Sequence, residues 1–301
     1  MTETSEARAG FVAIVGAPNV GKSTLVNKFV GAKVSIVSPK VQTTRTRVLG
    51  ICMVDATQLI FVDTPGIFAP RRRLDRAMVA AAWSGAADAD EVLVVGDAEA
   101  GLDGDARVIV ERLKAAGRKA ILAINKVDAV KKPRLLALAA AFDRSGVFTD
   151  TFMISALTGD GVADLKAFLA DHMPRGPWLF PEDQISDMPE RLCAAEITRE
   201  QLYLQLRQEL PYAAAVETAD WQEKDDGSVR IEQVIYVEKN SQKAIVVGSK
   251  GSRIKALGEA ARKQLEAIFG RRVHLFLVVK VKPKWGDDPA RYRDLGLDFG
   301  A

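Results

Sequence analysis

Short apolar runs set the rhythm of the first half of the chain. Phe11–Val15, Arg47–Val54, Gln58–Val62, Glu91–Gly96, Ala120–Ile124 and Thr151–Ile154 carry β-branched and aliphatic residues, and most stop where Gly, Asp or Asn takes over. Helix-forming segments separate the later runs. That alternation predicts a mainly parallel sheet with covering helices. The second and third runs are separated only by Asp55-Ala56, which predicts an antiparallel hairpin at one edge of the sheet.

The pattern breaks at residues 173–189, where Pro174, Pro177, Pro181 and Pro189 forbid a continuous helix or a central strand. Beyond this linker the order changes. A helix over about 190–210 leads to strands at Ala213–Glu223 and Val229–Glu238, joined through Asp226-Gly227. A short apolar run, Ala244–Val247, then precedes a glycine turn, a helix to Phe269 and a last strand, Val273–Val281. The chain therefore reads as an α/β domain over 1–172, a linker over 173–189 and a compact α+β domain over 190–301. Two domains are what 301 residues favour.

Composition narrows the chemistry. With 48% hydrophobic and 27% charged residues, wholesale disorder is excluded, and a net charge of +3 points to no polyanion by itself. Two cysteines, Cys52 and Cys193, and two histidines, His172 and His274, leave no material for a disulfide framework, a zinc site or a histidine-based triad. The polar start, Met1–Arg8, is unlike a signal peptide, and no apolar run approaches the ~18–20 residues of a spanning helix. The expectation is a cytoplasmic protein, with peripheral membrane contact through Trp178, Phe180 or a basic face left open.

Three loops carry chemistry. Gly16-Ala-Pro-Asn19-Val20-Gly21-Lys22-Ser23, followed by Thr24, is a GxxxxGK[ST] phosphate loop between a strand and a helix. Its glycines let backbone N–H groups curl around phosphates, Lys22 supplies a point charge, and the Ser23 hydroxyl suits Mg2+. Asp63-Thr-Pro-Gly66 closes a strand, placing Asp63 to reach the Mg2+ through water and Gly66 to offer its N–H to the γ-phosphate. Asn125-Lys126-Val-Asp128 chooses the base. The Asp128 carboxylate only accepts, and guanine presents two donors on one edge where adenine has none. Such a site should reject ATP by roughly 10⁴-fold. Asn125 ties the loops together, the Lys126 stem lies over the base, and Ser155-Ala156 offers a backbone N–H to guanine O6. GTP and GDP are the expected ligands.

These elements, in this order, resemble the translation-factor-related GTPases. Pro39–Val48 and Asp63–Met78 resemble the two switch regions of the Era family of bacterial ribosome-assembly GTPases. The resemblance implies that Gln42–Thr46 is switch I, with Thr44 rather than its neighbour Thr43 closing on Mg2+. Ile67 follows Gly66 where many GTPases carry a water-orienting glutamine, so unaided hydrolysis should be slow. Related GTPases without that glutamine, and with a phosphate-loop Asn, use a monovalent cation; Asn19 fits a K+ site. Arg71–Arg73 reads as a solvated basic face.

The second domain holds Gly248-Ser249-Lys250-Gly251, a GxxG loop opening an amphipathic helix that includes Arg253 and Lys255. This is the device by which KH domains clamp about four nucleotides of single-stranded RNA. From Lys239 to Lys284 twelve basic residues face two acids, Glu259 and Glu266, a net of +10. Charge so concentrated is the footprint of a polyphosphate partner. The element order resembles a type II KH domain, and Val279–Trp285 resembles the last strand of the Era family. The resemblance implies a factor that binds the 3′ end of 16S rRNA in the 30S subunit; the oligomeric state is not set by the sequence, and a monomer is the expectation. Residues alone stop at single-stranded RNA, leaving open a tRNA-modifying GTPase and a non-hydrolysing RNA adaptor.

Overall fold

Along the first strand, Val12 and Ile14 face one apolar cluster and Ala13 and Val15 another, and all four are fully buried. A strand packed on both faces must lie inside a sheet covered by helices on either side. The computed structural model describes residues 7–300 apart from 39, 41–43, 71, 207–209 and 295. The sequence-predicted switch residue Thr43, with Gln42 and Arg71, lies outside the described residues.

The elements run β1 (Arg8–Val15), α1 (Lys22–Val30), β2 (Val48–Val54), β3 (Thr57–Asp63), α2 (Arg73–Asp88), β4 (Glu91–Asp97), α3 (Gly104–Ala115), β5 (Ala120–Asn125), α4 (Lys132–Asp143), β6 (Phe148–Met153) and α5 (Val162–His172). Then follow α6 (Glu190–Gln205), β7 (Ala214–Glu223), β8 (Val229–Val237), α7 (Asn240–Val247), α8 (Ser252–Phe269), β9 (Val273–Val281) and α9 (Pro289–Asp294). They form two compact units. One comprises Met1–Ser35, Thr44–Asp187 and Tyr292–Ala301; the other comprises Ile36–Thr43 and Met188–Arg291.

The first unit has a six-stranded sheet in the order β2-β3-β1-β4-β5-β6, parallel except for β2. The β2–β3 hairpin turns on Asp55-Ala56, with Asp55 in the left-handed region (φ 51°) that a two-residue hairpin demands. α1 and α5 cover one face, where Phe29 stacks on Phe61 at 4.4 Å; α2, α3 and α4 cover the other. β6 begins three residues before the expected run. It is an edge strand whose Thr149 and Thr151 are exposed, which hides its start from a hydrophobic pattern.

The proline-rich segment runs along this unit as far as Asp187. Ser186 bridges to Gly50 on β2, and Gln58 accepts from the N–H groups of Leu179 and Phe180 and donates to the Phe180 carbonyl. Phe180 packs with Leu49, Ile51 and Ile60, while the Trp178 indole N–H donates to the Ala56 carbonyl. Both aromatics thus have partners within the unit. The chain end also belongs here: Tyr292 and Leu297 pack on Ala77 and Met78 of α2, and Arg73 lies over the Phe299 ring.

The second unit has a three-stranded sheet, β7-β8-β9. β7 and β8 are antiparallel across the Gly227 turn, and β8 and β9 are parallel. Parallel neighbours need a long crossover, and α7 and α8 supply it. α6, α7 and α8 bury Leu202, Val246 and Leu257 against Ile235, Val237 and Val279. The apolar run Ala244–Val247 is therefore the last turn of a helix that starts at Asn240. Ile36 is buried with Ala194, Ile197 and Val229, the Val37 N–H donates to Glu200, and the Lys40 ammonium donates to the Tyr203 and Leu206 carbonyls.

Candidate nucleotide-binding and RNA-binding sites

Parallel strands deliver their C-terminal ends to one edge, and the phosphate loop, the Asp63 loop and the base loop all follow such ends. β1 runs into Gly16, whose close packing leaves no room for a side chain: a Cβ there would stand 2.6 Å from the Val95 carbonyl oxygen. Asn19 and Gly21 both adopt positive φ, 62° and 99°. Gly21 caps α1, so the first N–H groups of that helix and its positive dipole end point into the loop. Val20 is buried beneath the loop, Asn19 is exposed, and Thr24 is half-buried on the first turn of α1.

Lys22 is buried, and its ammonium donates to the carbonyls of Gly16 (3.0 Å) and Ala17 (2.8 Å). Burial pulls its pKa down to about 8, against the pull of the Asp63 charge. Ser23 donates to Asp63 Oδ2 at 2.7 Å and lies 2.9 Å from the Thr44 hydroxyl, which itself donates to the same oxygen at 3.2 Å. Ser35, a residue no motif marks, makes the shortest contact on that oxygen, at 2.6 Å. Burial pushes the Asp63 carboxyl above its ordinary range, and these hydroxyls together with Lys22 pull it back.

Asp63 Oδ1 is buried and has no hydrogen-bond partner among the described residues. A carboxylate oxygen left open beside two hydroxyls suits a hard cation that keeps its water, which is the habit of Mg2+. Mg2+ is usually bound by one or two carboxylates together with water and substrate phosphates, and two hydroxyls beside one carboxylate leave room for both. The residues fit the ion.

Gly66 passes close to the phosphate loop; a Cβ there would meet Pro18 at 3.0 Å. The next residue, Ile67, donates its N–H to the Gly16 carbonyl and buries its side chain among Ala82, Ala86 and Val94. It presents nothing to a water. Asn125 is the tie between loops: its amide donates to the Val20 carbonyl, and its oxygen accepts from the Ala156 N–H, both at 2.8 Å. Asp128 is exposed, with its acceptors available to a base. Ser155 is fully buried and shapes the turn that presents Ala156.

Lys126 adopts φ 66° and its ammonium donates to Asp97 at 2.6 Å. Asp97 ends β4 and also accepts from the Glu99 N–H, so it holds the lysine stem from below. The sequence reading passed over Asp97 and Ser35. The first had a signal, an Asp closing a strand beside the base loop; the second had none.

In the second unit the GxxG loop joins α7 to α8. Gly248 (φ 72°) leaves no space for a side chain, since a Cβ would stand 2.7 Å from Arg253 Cβ. Lys250 and Gly251 also have positive φ, and Gly251 caps α8. Ser249, Lys250 and Lys255 are exposed, and Arg253 donates to the Ile245 carbonyl, fixing the loop to α7. Exposed Ile245 adds an apolar patch beside the loop.

Comparison with known proteins agrees with this geometry. Residues 11–126 match the family described as 50S ribosome-binding GTPase, and residues 209–286 match the KH domain. The chain is 60% identical to GTPase Era of Mesorhizobium japonicum over 99% of its own length and 96% of that relative's. It is 58% identical to GTPase Era of Brucella suis biovar 1, with the same coverage. A crystal structure of Era with MgGDPNP and nucleotides 1506–1542 of 16S ribosomal RNA superposes with a TM-score of 0.92 at 40% identity, covering 96% of this chain and 99% of that one. An Aquifex aeolicus Era variant bound to GDP and aluminium fluoride gives 0.91 at the same identity and coverage. With both domains matched in order and nearly the full length of its relatives shared, this chain belongs to the Era family and is a GTP hydrolase with a KH RNA-binding domain.

Proposed function

We propose that this GTPase acts in small ribosomal subunit assembly, binding the single-stranded 3′ end of 16S rRNA through its KH loop under the control of GTP. The observation that carries this reading is the exposed, cationic GxxG loop in a chain 40% identical to an Era that holds that RNA. Ile36, Val37 and Lys40 make their contacts in the RNA-binding unit, and Ser35, next in sequence to Ile36, bonds to Asp63, which supports coupling between nucleotide and RNA.

In this reading Gly16, Asn19, Val20, Gly21 and Thr24 line the phosphates, and Lys22 leaves its carbonyl partners to meet the β- and γ-phosphates. Asp128, Asn125, Lys126, Ser155 and Ala156 hold guanine. Ser23 and Thr44 would hold Mg2+ directly and the open oxygen of Asp63 would hold it through its water; the ion would neutralise charge building between the β- and γ-phosphates. The Gly66 N–H reaches the γ-phosphate. Nothing from Ile67 orients the attacking water, so unaided turnover is slow; Asn19 would hold a K+ ion, which would supply positive charge to the phosphates. Gly248, Ser249, Lys250 and Gly251 meet the RNA backbone, with Arg253 and Lys255 adding charge. The two thiols are free and no helix among the described residues is long and apolar enough to cross a membrane; with a ribosomal target, these favour the cytoplasm.

The test is GTP turnover in K+ against Na+, with and without a short RNA copying the 3′ end of 16S rRNA. Stimulation by both, with the RNA effect lost in Gly248→Asp and Gly251→Asp, is the expected result. Turnover indifferent to that RNA would send the search to another RNA, and equal rates in K+ and Na+ would remove the Asn19 site.

A further inference from the structure

Asp63 Oδ2 is held by three hydroxyls, and only two of them belong to recognised motifs. Ser35 makes the shortest of the three bonds, at 2.6 Å, and is itself buried at 2% exposure. Its position is unusually well fixed. Asn27 accepts from the N–H groups of Val34 (2.9 Å) and Ser35 (2.8 Å) and donates to the Ser35 carbonyl (2.7 Å). Asn27 lies on α1 four residues after Ser23, so both project from the same face of one helix. The phosphate-loop helix thus sets Ser23 directly and Ser35 through Asn27, and both converge on one carboxylate oxygen.

We propose that Ser35 is a positioning residue for the magnesium site, locking the Asp63 carboxylate so that its open oxygen faces the ion. This rests on the reading that Ser23, Thr44 and Asp63 hold Mg2+. Ser23 and Thr44 would divide their oxygens between Asp63 and the cation, whereas the Ser35 hydroxyl is directed at Asp63. A partner of this kind, one bond removed from the metal's water, typically changes metal affinity by about 10–100-fold when removed. A hydroxyl that merely satisfied a buried carboxylate would affect stability and leave the Mg2+ requirement unchanged.

The experiment measures release of a fluorescent GDP analogue from the full-length protein across a titration of free Mg2+. Ser35→Ala should raise the Mg2+ concentration for half-maximal retention about tenfold, with release in excess EDTA unchanged. Ser35→Thr, which keeps the hydroxyl, should restore it. Ser35→Cys keeps the shape but donates poorly and should behave as Ser35→Ala, so the conclusion survives if the alanine variant folds badly. Ser23→Ala is the control for the site itself. If it raises the midpoint while Ser35→Ala and Ser35→Cys stay within twofold of the parent, the positioning role is overturned and the magnesium site stands. If Ser23→Ala has no effect, the magnesium assignment fails and takes this inference with it.

Discussion

The two ligand sites of this chain are built in opposite ways. The nucleotide site gathers side chains from Gly16 to Ala156, and several that matter most are buried: Lys22, Asp63, Asn125 and Ser155. Two of them are tied to other segments: Asn125 joins Val20 to Ala156, and Asp63 accepts from Ser23, Ser35 and Thr44. The GxxG loop takes all it needs from about ten consecutive residues, and its ligand-facing groups lie in water. A buried, cross-linked site transmits a local error to every loop it touches, because unpaired polar atoms there cost far more than at a surface. A local, exposed site confines the error to itself.

Substitutions can break or sharpen that contrast. Asp128→Ala has the largest expected effect: it removes two charge-assisted acceptors, each contributing about 1.5–3 kcal/mol. GDP affinity measured by calorimetry should fall by at least 100-fold, with melting temperature in the absence of nucleotide near that of the parent.

Glycines give the middle case. Gly21→Ala combines φ 99° with a Cβ placed 2.3 Å from the Asn125 amide, so it should weaken GDP about 10–100-fold and lower the melting temperature. Gly251→Ala meets nothing within 4 Å and carries only the left-handed backbone penalty, about 1–2 kcal/mol. It should weaken RNA about tenfold and leave GDP binding alone. Gly248→Ala, blocked by Arg253, should be the worse of the two loop variants. A Gly251→Ala protein that loses GDP affinity would show that the two regions are not independent.

Lys250→Ala is the smallest effect. An exposed lysine meeting one phosphate should reduce RNA affinity a few-fold, and lower the slope of log affinity against log salt by about 0.7. Fluorescence anisotropy at several salt concentrations reads both.

How much was legible follows the same division. The phosphate loop, Asp63-Thr-Pro-Gly66, Asn125–Asp128 and the GxxG loop each depend on a contiguous set of residue types, and the structure brings the first three to one edge of the sheet. The Asp55-Ala56 hairpin was equally readable, since a two-residue turn is local chemistry. Ser35 was silent because its role is created by Asn27 and Asp63, distant in sequence from one another. Tyr292 and Leu297 were silent too, their partners Ala77 and Met78 lying on α2. The helix over Asn240–Val247 was half seen, because only its apolar last turn stands out against polar Asn240–Lys243.

By itself, then, the sequence determined the ligand classes, guanine nucleotide and single-stranded RNA, and pointed to their proposed holders: glycines and Lys22 for phosphate, Asp128 for guanine, and a cationic GxxG loop for RNA. Those choices rest on residue chemistry at short range, where spacing alone decides geometry. Only the tertiary structure decided which hydroxyls share the Asp63 carboxylate, that Ile67 turns into the core, and where the proline-rich segment and the chain end pack. These are outcomes of burial between residues far apart in sequence, where many partners are available and packing selects one.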